Sequence, residues 1–214
     1  MRVREDSIAG NARTAAAQVR AKNAVRHERT YALLTAAVGL AMGAGATFLI
    51  RAGVIPLAHG ALSLGTCAFE VGVYVGLFEA YFYGLHRLLH TRSMYQRVHV
   101  VHHRSTSPTL LTALAFHPVE ALLIMGFMPV AMWLIPIHLV SLVMVSLFLS
   151  GSIGLAHCGH PVFPSWWQNA PVLNLYVTPL VHDAHHKRRD CNYSATLSIF
   201  DRAFGTLRNI TAGD

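Results

Sequence analysis

Twenty consecutive residues, Tyr31 to Ile50, carry no charge. As a helix they are long enough to cross a hydrocarbon layer of about 30 Å. Three more apolar runs follow: 62–85, broken by Glu70 and Glu79, then Val119 to Leu134, then Ile137 to Ala156. In hydrocarbon the backbone must satisfy its own hydrogen bonds, so such runs are expected as helices. The stretch Gly53 to Gly60, with Pro56, predicts a short turn, and Pro136 predicts a tight hairpin between the last two runs. Composition agrees: 53% hydrophobic, 13% charged and mean hydropathy +0.41 are too apolar for a soluble globule of 214 residues. The expected fold is all-α and integral to a membrane, with about four transmembrane helices.

Charge sets the orientation. Seven Lys/Arg lie in residues 1–30, four in 86–118 and five in 157–214, whereas the turn after the first run has only Arg51 and the later hairpin has none. Four spans bring the three basic segments to one side, which the positive-inside rule makes cytoplasmic, with both termini there. The formal net charge of +7 therefore suits a membrane surface better than nucleic acid. Residues 1–30 read as a basic arm, either a surface helix on anionic lipid or a tail that sets orientation, and not as a signal peptide. Residues 31–214 read as the membrane-embedded domain. Cys67, Cys158 and Cys191 are isolated, with no C-x-x-C, and point to a reduced compartment without a disulfide framework.

The polar segments concentrate histidine. His86-Arg87-Leu88-Leu89-His90 is followed by His99-Val100-Val101-His102-His103, and His182-Asp183-Ala184-His185-His186 repeats the second pattern, with His157 and His160 between. Spacings of three and four share a helix face. Imidazole is the commonest protein ligand for iron, zinc and copper. So many imidazoles exceed what one four-coordinate ion takes, and two metals is the economical reading, held in a helical cap on the cytoplasmic side. Glu79, Tyr83, His86 and His90 fall on one helical stripe, with Glu79 about 10 Å deeper than His86. An ionisable residue there should face the protein interior. It either holds a ligand imidazole by its far nitrogen or hydrogen-bonds a neighbouring helix. Glu70, on the opposite face, has no assigned role. His27, His59 and His138 fit no motif. Trp166 and Trp167 read as an interfacial aromatic belt, and Lys187-Arg188-Arg189 as a solvated or lipid-headgroup patch.

Together, Glu79-x-x-x-Tyr83-x-x-His86-Arg87-Leu88-Leu89-His90, His99-x-x-His102-His103, Phe116-His117-Pro118-x-Glu120, His182-Asp183-x-His185-His186 and the tail from Asn192-Tyr193 through Phe200-Asp201-Arg202-Ala203-Phe204-Gly205-Thr206 resemble the fatty acid hydroxylase/sterol desaturase superfamily. The likeness spans roughly residues 70–208. It implies an integral-membrane enzyme with two iron ions, for which zinc can substitute, that uses O2 to hydroxylate or desaturate a sterol-like, fatty acyl or other isoprenoid lipid. By the same likeness His86, His90, His99, His102, His103, His182, His185 and His186 match the ligand motifs, and His157 matches an intermediate histidine. His160 departs from the usual residue there and stands as a ligand or a substrate-lining group. His117 is expected to line the site.

The residues support that chemistry independently. Breaking an unactivated C–H bond needs a redox cofactor, because no side chain supplies that power. No Gly-rich nucleotide fingerprint is present, so electrons should come from a separate donor protein, a reductase, ferredoxin or cytochrome. A lipid would enter laterally from the bilayer, which would be the plasma membrane of a bacterium or the endoplasmic reticulum of a eukaryote. The alternative is a metal transporter or a metal-binding membrane protein. Transporters tend to place ionisable ligands near the bilayer midplane, whereas these histidines cluster at and beyond helix ends.

Overall fold

No proline precedes Pro56, and nothing in the first fifty residues stops a helix once begun. The computed structural model describes the backbone of residues 2–208 except Ser107, with side chains from residue 21 onward. In it the basic arm and the first apolar run form one uninterrupted helix, α1 (Arg2–Arg51). The helix ends where Gly53 takes a left-handed φ of 73°. Ser63 then caps α2 (Leu64–Leu89), its Oγ accepting from the Thr66 amide at 3.0 Å.

α2 stops at His90, and α3 (Arg92–Arg97) and a 3-10 segment, His99–Arg104, complete the first histidine region. α4 (Pro118–Leu134) opens with proline in its first turn, under a cap from His117. It ends just before Pro136, and α5 (Leu139–Ala156) returns as the expected hairpin. α6 (Pro179–Arg188), capped by Thr178, carries the second histidine region, and the short α7 (Ile199–Ala203) closes the described chain. The described residues form no strand. A lone antiparallel bridge, Tyr176 to Leu197, ties the segment before α6 to the segment after it.

α1 packs along α4, α2 lies against α4 and α5, and α6 and α7 sit on α5 and α2 respectively. The core is where these meet: Tyr74, Val75 and Phe78 from α2, Ala131 and Met132 from α4, and Val145 and Leu149 from α5. The Tyr74 hydroxyl donates to the Ile135 carbonyl. Glu70 receives both the His138 ring, at 2.7 Å, and the His138 amide, at 3.3 Å. Glu70 and His138, neither given a role from the sequence, thus bind the α4–α5 hairpin to α2. At the other end Glu28 on α1 accepts from the Thr112 hydroxyl at 3.1 Å and steadies the loop before α4.

Large apolar side chains cover the outside as well. Leu40, Phe48, Leu64 and Phe69 are all at least 70% exposed, the surface of a chain that meets lipid rather than water. Two helices, Ala21–Arg51 and Leu139–Ala156, are long and apolar enough to cross a membrane. α4 is a shorter apolar helix, and α2 carries Glu70 and Glu79 within its length.

Candidate metal centre

The last turn of α2 presents His86 and His90, one turn apart. The 3-10 segment presents His99, His102 and His103, and α6 presents His182, His185 and His186. With His157 at the end of α5, nine imidazoles converge in two groups. His86, His90, His99, His103 and His185 form one, and His102, His157, His182 and His186 the other. In each group the ligand atoms all lie within 4.8 Å of one another. The two H-x-x-H-H motifs are divided between them in opposite senses. His99 and His103 join the first group and His102 the second, while His185 joins the first and His182 and His186 the second.

The outward nitrogens decide what the inward ones can do. Nδ1 of His86 lies 2.7 Å from the Tyr193 carbonyl, that of His185 2.6 Å from the Cys191 carbonyl, and that of His99 2.7 Å from Glu120 Oε1. In the second group Nδ1 of His157 and of His186 meet the Ile153 and Ser105 carbonyls at 2.8 and 2.9 Å. A carbonyl or carboxylate oxygen only accepts, so each of these Nδ1 atoms carries the ring's hydrogen, and each Nε2 presents a bare lone pair. Yet the Nε2 atoms of His86 and His99, both in the first group, are 3.1 Å apart. Two lone pairs at that separation repel and need a cation between them. Two nitrogens each about 2.1 Å from one ion, at 90–109°, would be roughly 3.0–3.4 Å apart. The 3.1 Å between His86 and His99 in the first group, and the 3.2 Å between the Nε2 atoms of His182 and His186 in the second, fit a metal in each group. Burial pushes His157 down to about 4. Burial together with neighbouring imidazoles holds His99, His102, His182 and His185 well below their ordinary range. The rings stay neutral and ready to ligate at physiological pH.

The turn 191–194 orients the first group from above. Asn192 sits in the left-handed region (φ 58°), which asparagine tolerates better than most residues. Its side-chain amide donates to the carbonyls of Val181 and Arg208. Asp201 accepts from the amides of Tyr193 and Ser194, each at 2.8 Å. Glu79 grips the same segment from below, its Oε1 accepting from the amide of Thr196 at 2.9 Å and from the Thr196 hydroxyl. The tail motif is thus a clasp that presents the Tyr193 and Cys191 carbonyls to His86 and His185.

Three residues expected in the chemistry take other posts. Glu79 lies on the predicted stripe, but Thr196 meets it before any imidazole does. Tyr83 is packed among the rings of Tyr193, Phe200 and Phe204, and its hydroxyl pairs with Thr206 at 3.0 Å. His117 caps α4 through Nδ1, which accepts from the Val119 amide at 3.2 Å. His160, expected as a ligand, is exposed and outside both groups, because the chain reverses at Gly159 (φ 74°) and carries it outward. The carboxylate that does hold a ligand imidazole is Glu120, buried against His99. Its place in His117-Pro118-x-Glu120 is the sequence signal that marks it.

Below both groups lies a cavity of about 500 Å³ between α2, α4, α5 and the 110–116 segment. His86, His99, His102, His157 and His182 form its inner end, and Phe78, Phe82, Ile124, Phe127 and Met128 line much of the rest. Leu114, Ser146 and Ser150 on its wall are exposed and mark where it opens, beside α5. An apolar chamber that ends on two groups of neutral imidazoles can hold a hydrocarbon against bound metal with little water present.

An all-helical scaffold with a histidine-built candidate dimetal centre over an apolar chamber defines a class of metalloprotein before any relative is consulted. The chain belongs to the fatty acid hydroxylase family, whose sequence profile matches residues 71–206. It is 37% identical to Methylsterol monooxygenase 2-2 of Arabidopsis thaliana over 129 residues, 58% of this chain and 47% of that protein. It is 35% identical to Very-long-chain aldehyde decarbonylase GL1-8 of Oryza sativa subsp. indica over 156 residues, 71% of this chain and 55% of that protein. The chain spans about half the length of these curated relatives. No solved structure matches it.

Proposed function

We propose that this chain is an O2-dependent lipid oxidoreductase that hydroxylates or desaturates a sterol-like, fatty acyl or other isoprenoid lipid. The observation that carries this reading is the meeting of both imidazole groups with the inner end of one apolar cavity. Family membership and the names of the relatives support it. His86, His90, His99, His103 and His185 would hold one iron ion, and His102, His157, His182 and His186 the other. Iron there supplies the O2 activation and hydrogen abstraction that side chains lack. Hydroxylation then balances as R–H + O2 + two electrons + two protons giving R–OH + H2O, the electrons coming from a separate donor protein.

The protein's own residues do the remaining work. The Tyr193, Cys191, Ile153 and Ser105 carbonyls and Glu120 keep the donor nitrogens unprotonated and aimed inward. Phe78, Phe82 and Phe127 exclude water from the chamber and leave it to the substrate chain. We place α1, α2, α4 and α5 across the membrane, with both termini and the histidine cap cytoplasmic, as the distribution of Lys/Arg supports. On this arrangement a lipid reaches the chamber sideways, past Ser146 and Ser150.

The test compares total lipids by mass spectrometry from cells with and without the expressed protein, alongside His102→Ala and His185→Ala. The expected result is a lipid gaining one oxygen or losing two hydrogens with the wild type alone, while both variants insert and run as monodisperse species. An unchanged lipid profile with iron-loaded wild type and a working electron supply would refute the proposal.

A further inference from the structure

The two histidine groups differ in what surrounds them. Tyr95 on α3 sits with its ring 5.7 Å from His90, 6.2 Å from His99 and 5.7 Å from His103. The Tyr193 ring lies 5.7, 5.1 and 5.7 Å from His86, His90 and His185. Every imidazole of the five-histidine group therefore touches one of two tyrosines, and both tyrosines are half-buried. The four-histidine group has Phe116 stacked on His102 at 4.7 Å, and Phe116 lines the cavity. Aromatic contact leads from the four-histidine group to the chamber, and from the five-histidine group both to the chamber, through Phe82 at 5.2 Å from His86, and to the protein surface, through the two tyrosines.

The surface over the two tyrosines is basic. Arg189, left-handed at the end of α6 (φ 68°), lays its guanidinium over the Tyr95 ring at 5.4 Å. Arg87 lies close enough to Tyr193, and Arg188 to Cys191, to act on them electrostatically. All three arginines are exposed, and Asp190 is the one exposed carboxylate beside them among the described residues. Lys187 is paired with Asp183 at 2.7 Å. A patch serving only lipid headgroups would need the cations alone. Here one of them, Arg189, stands on a ring that touches three candidate ligands, and Arg87 lies 5.8 Å over the ring of Tyr83, which packs on Tyr193.

We infer that Tyr95, beneath Arg189, and the neighbouring Tyr193, in a patch that also exposes Arg87 and Arg188, form the docking and electron-uptake face for a small acidic one-electron carrier protein. This rests on the oxygenase reading above. A reduced carrier gives up one electron per encounter and leaves oxidised. The electron crosses the tyrosine ring to the metal held by the five histidines, and two encounters supply the pair that each oxidation consumes. Opposite charge steers the encounter and makes it salt-dependent.

The test uses the full chain in nanodiscs and a plant-type [2Fe–2S] ferredoxin as probe. Binding is measured first on zinc-loaded protein, where no turnover occurs. Affinity should fall with added salt and fall roughly tenfold in Arg188→Glu/Arg189→Glu, with Arg188→Glu alone intermediate, while Arg51→Glu at the far end of α1 matches wild type. Stopped-flow oxidation of reduced ferredoxin by iron-loaded protein should then slow in Tyr95→Leu and be retained in Tyr95→Phe, both binding the probe normally. The proposal is overturned if the double reversal binds like wild type, if Arg51→Glu weakens binding equally, or if the patch holds phosphatidylserine vesicles and no ferredoxin. Lipid oxidation driven by a chemical reductant separates the two readings. Its absence in wild type sinks the oxygenase, its presence with charge-insensitive ferredoxin binding sinks only the docking face, and the binding measurement decides docking in either case.

Discussion

Replacing Glu120 with glutamine leaves nearly the same shape beside His99 and removes the carboxyl group that can ionise there. Glu120 Oε1 is 2.7 Å from His99 Nδ1, and both side chains are at most 2% exposed. The carboxylate fixes the tautomer of His99 and raises the basicity of its Nε2, which faces the five-histidine group. Loss of such a partner typically costs 10–100-fold in metal affinity or activity, about 1.4–2.7 kcal/mol. The glutamine oxygen can still accept from Nδ1, so the lower part of that range is expected. Glu120→Ala leaves a buried N–H without a partner, which costs about 1–3 kcal/mol, and should lie at the upper end. The assay is a Zn2+ titration of metal-free protein against a chelator of known affinity. Only one of two binding steps should weaken, because the four-histidine group is oriented by backbone carbonyls of Ile153 and Ser105 that the substitution leaves alone. Equal weakening of both steps, or of neither, would refute the assignment of Glu120 to one metal.

Glu79→Leu should orphan the buried amide and hydroxyl of Thr196, at about 1–3 kcal/mol for each, and speed hydrogen exchange at Thr196, whereas Glu79→Gln keeps an acceptor and should change both exchange and Zn2+ affinity little. Acid should loosen the cap and release any bound metal: burial lowers His157 from 6.5 to about 4, so between those values the unfolded chain binds a proton that the folded one refuses, and stability falls as pH falls through that window. Circular dichroism and metal release followed from pH 7 to pH 4 would check this, and a flat response would count against buried neutral rings. An impermeant maleimide applied to intact cells should label Cys67 and spare Cys158 and an N-terminal tag cysteine, and the reverse pattern would invert the topology.

Which residues form the candidate site was largely written in the spacing of the histidines, and the long apolar helices in the uncharged runs. How the histidines are partitioned was not. It depends on α2 stopping at His90 and on the 3-10 geometry of His99–Arg104, and a regular helix pattern carries neither. Helical periodicity put Glu79 on the stripe of His86 but gave no sign that Thr196, 117 residues away, would come between. The same limit hid the Glu120–His99 pair: both residues stand in recognisable motifs, yet linear spacing says nothing about the distance between them. His160 stood on the sequence as a ligand or a substrate-lining group, and a left-handed glycine just before it, Gly159, turns it away from both groups. α1 was longer than its charge pattern suggested, since charge changes the surroundings of a helix without ending it.

The opposed division of the two H-x-x-H-H motifs would make each ion, if the proposed sites are filled, a cross-link. His103 and His185 meet in one group across 82 residues of chain, and His102 and His157 in the other across 55. Neither group can be assembled from the early motif or the late one alone. An ion bound in either group therefore closes a long loop, and the chain entropy lost in that closure is lost once for both. Because α6 carries ligands to both groups on neighbouring residues, the first ion captured also delivers α6 to the second. Metal loading on the proposed reading would fasten α6 to the middle of the chain, and a protein truncated before His182 would keep four histidines of the first group but only His102 and His157 of the second.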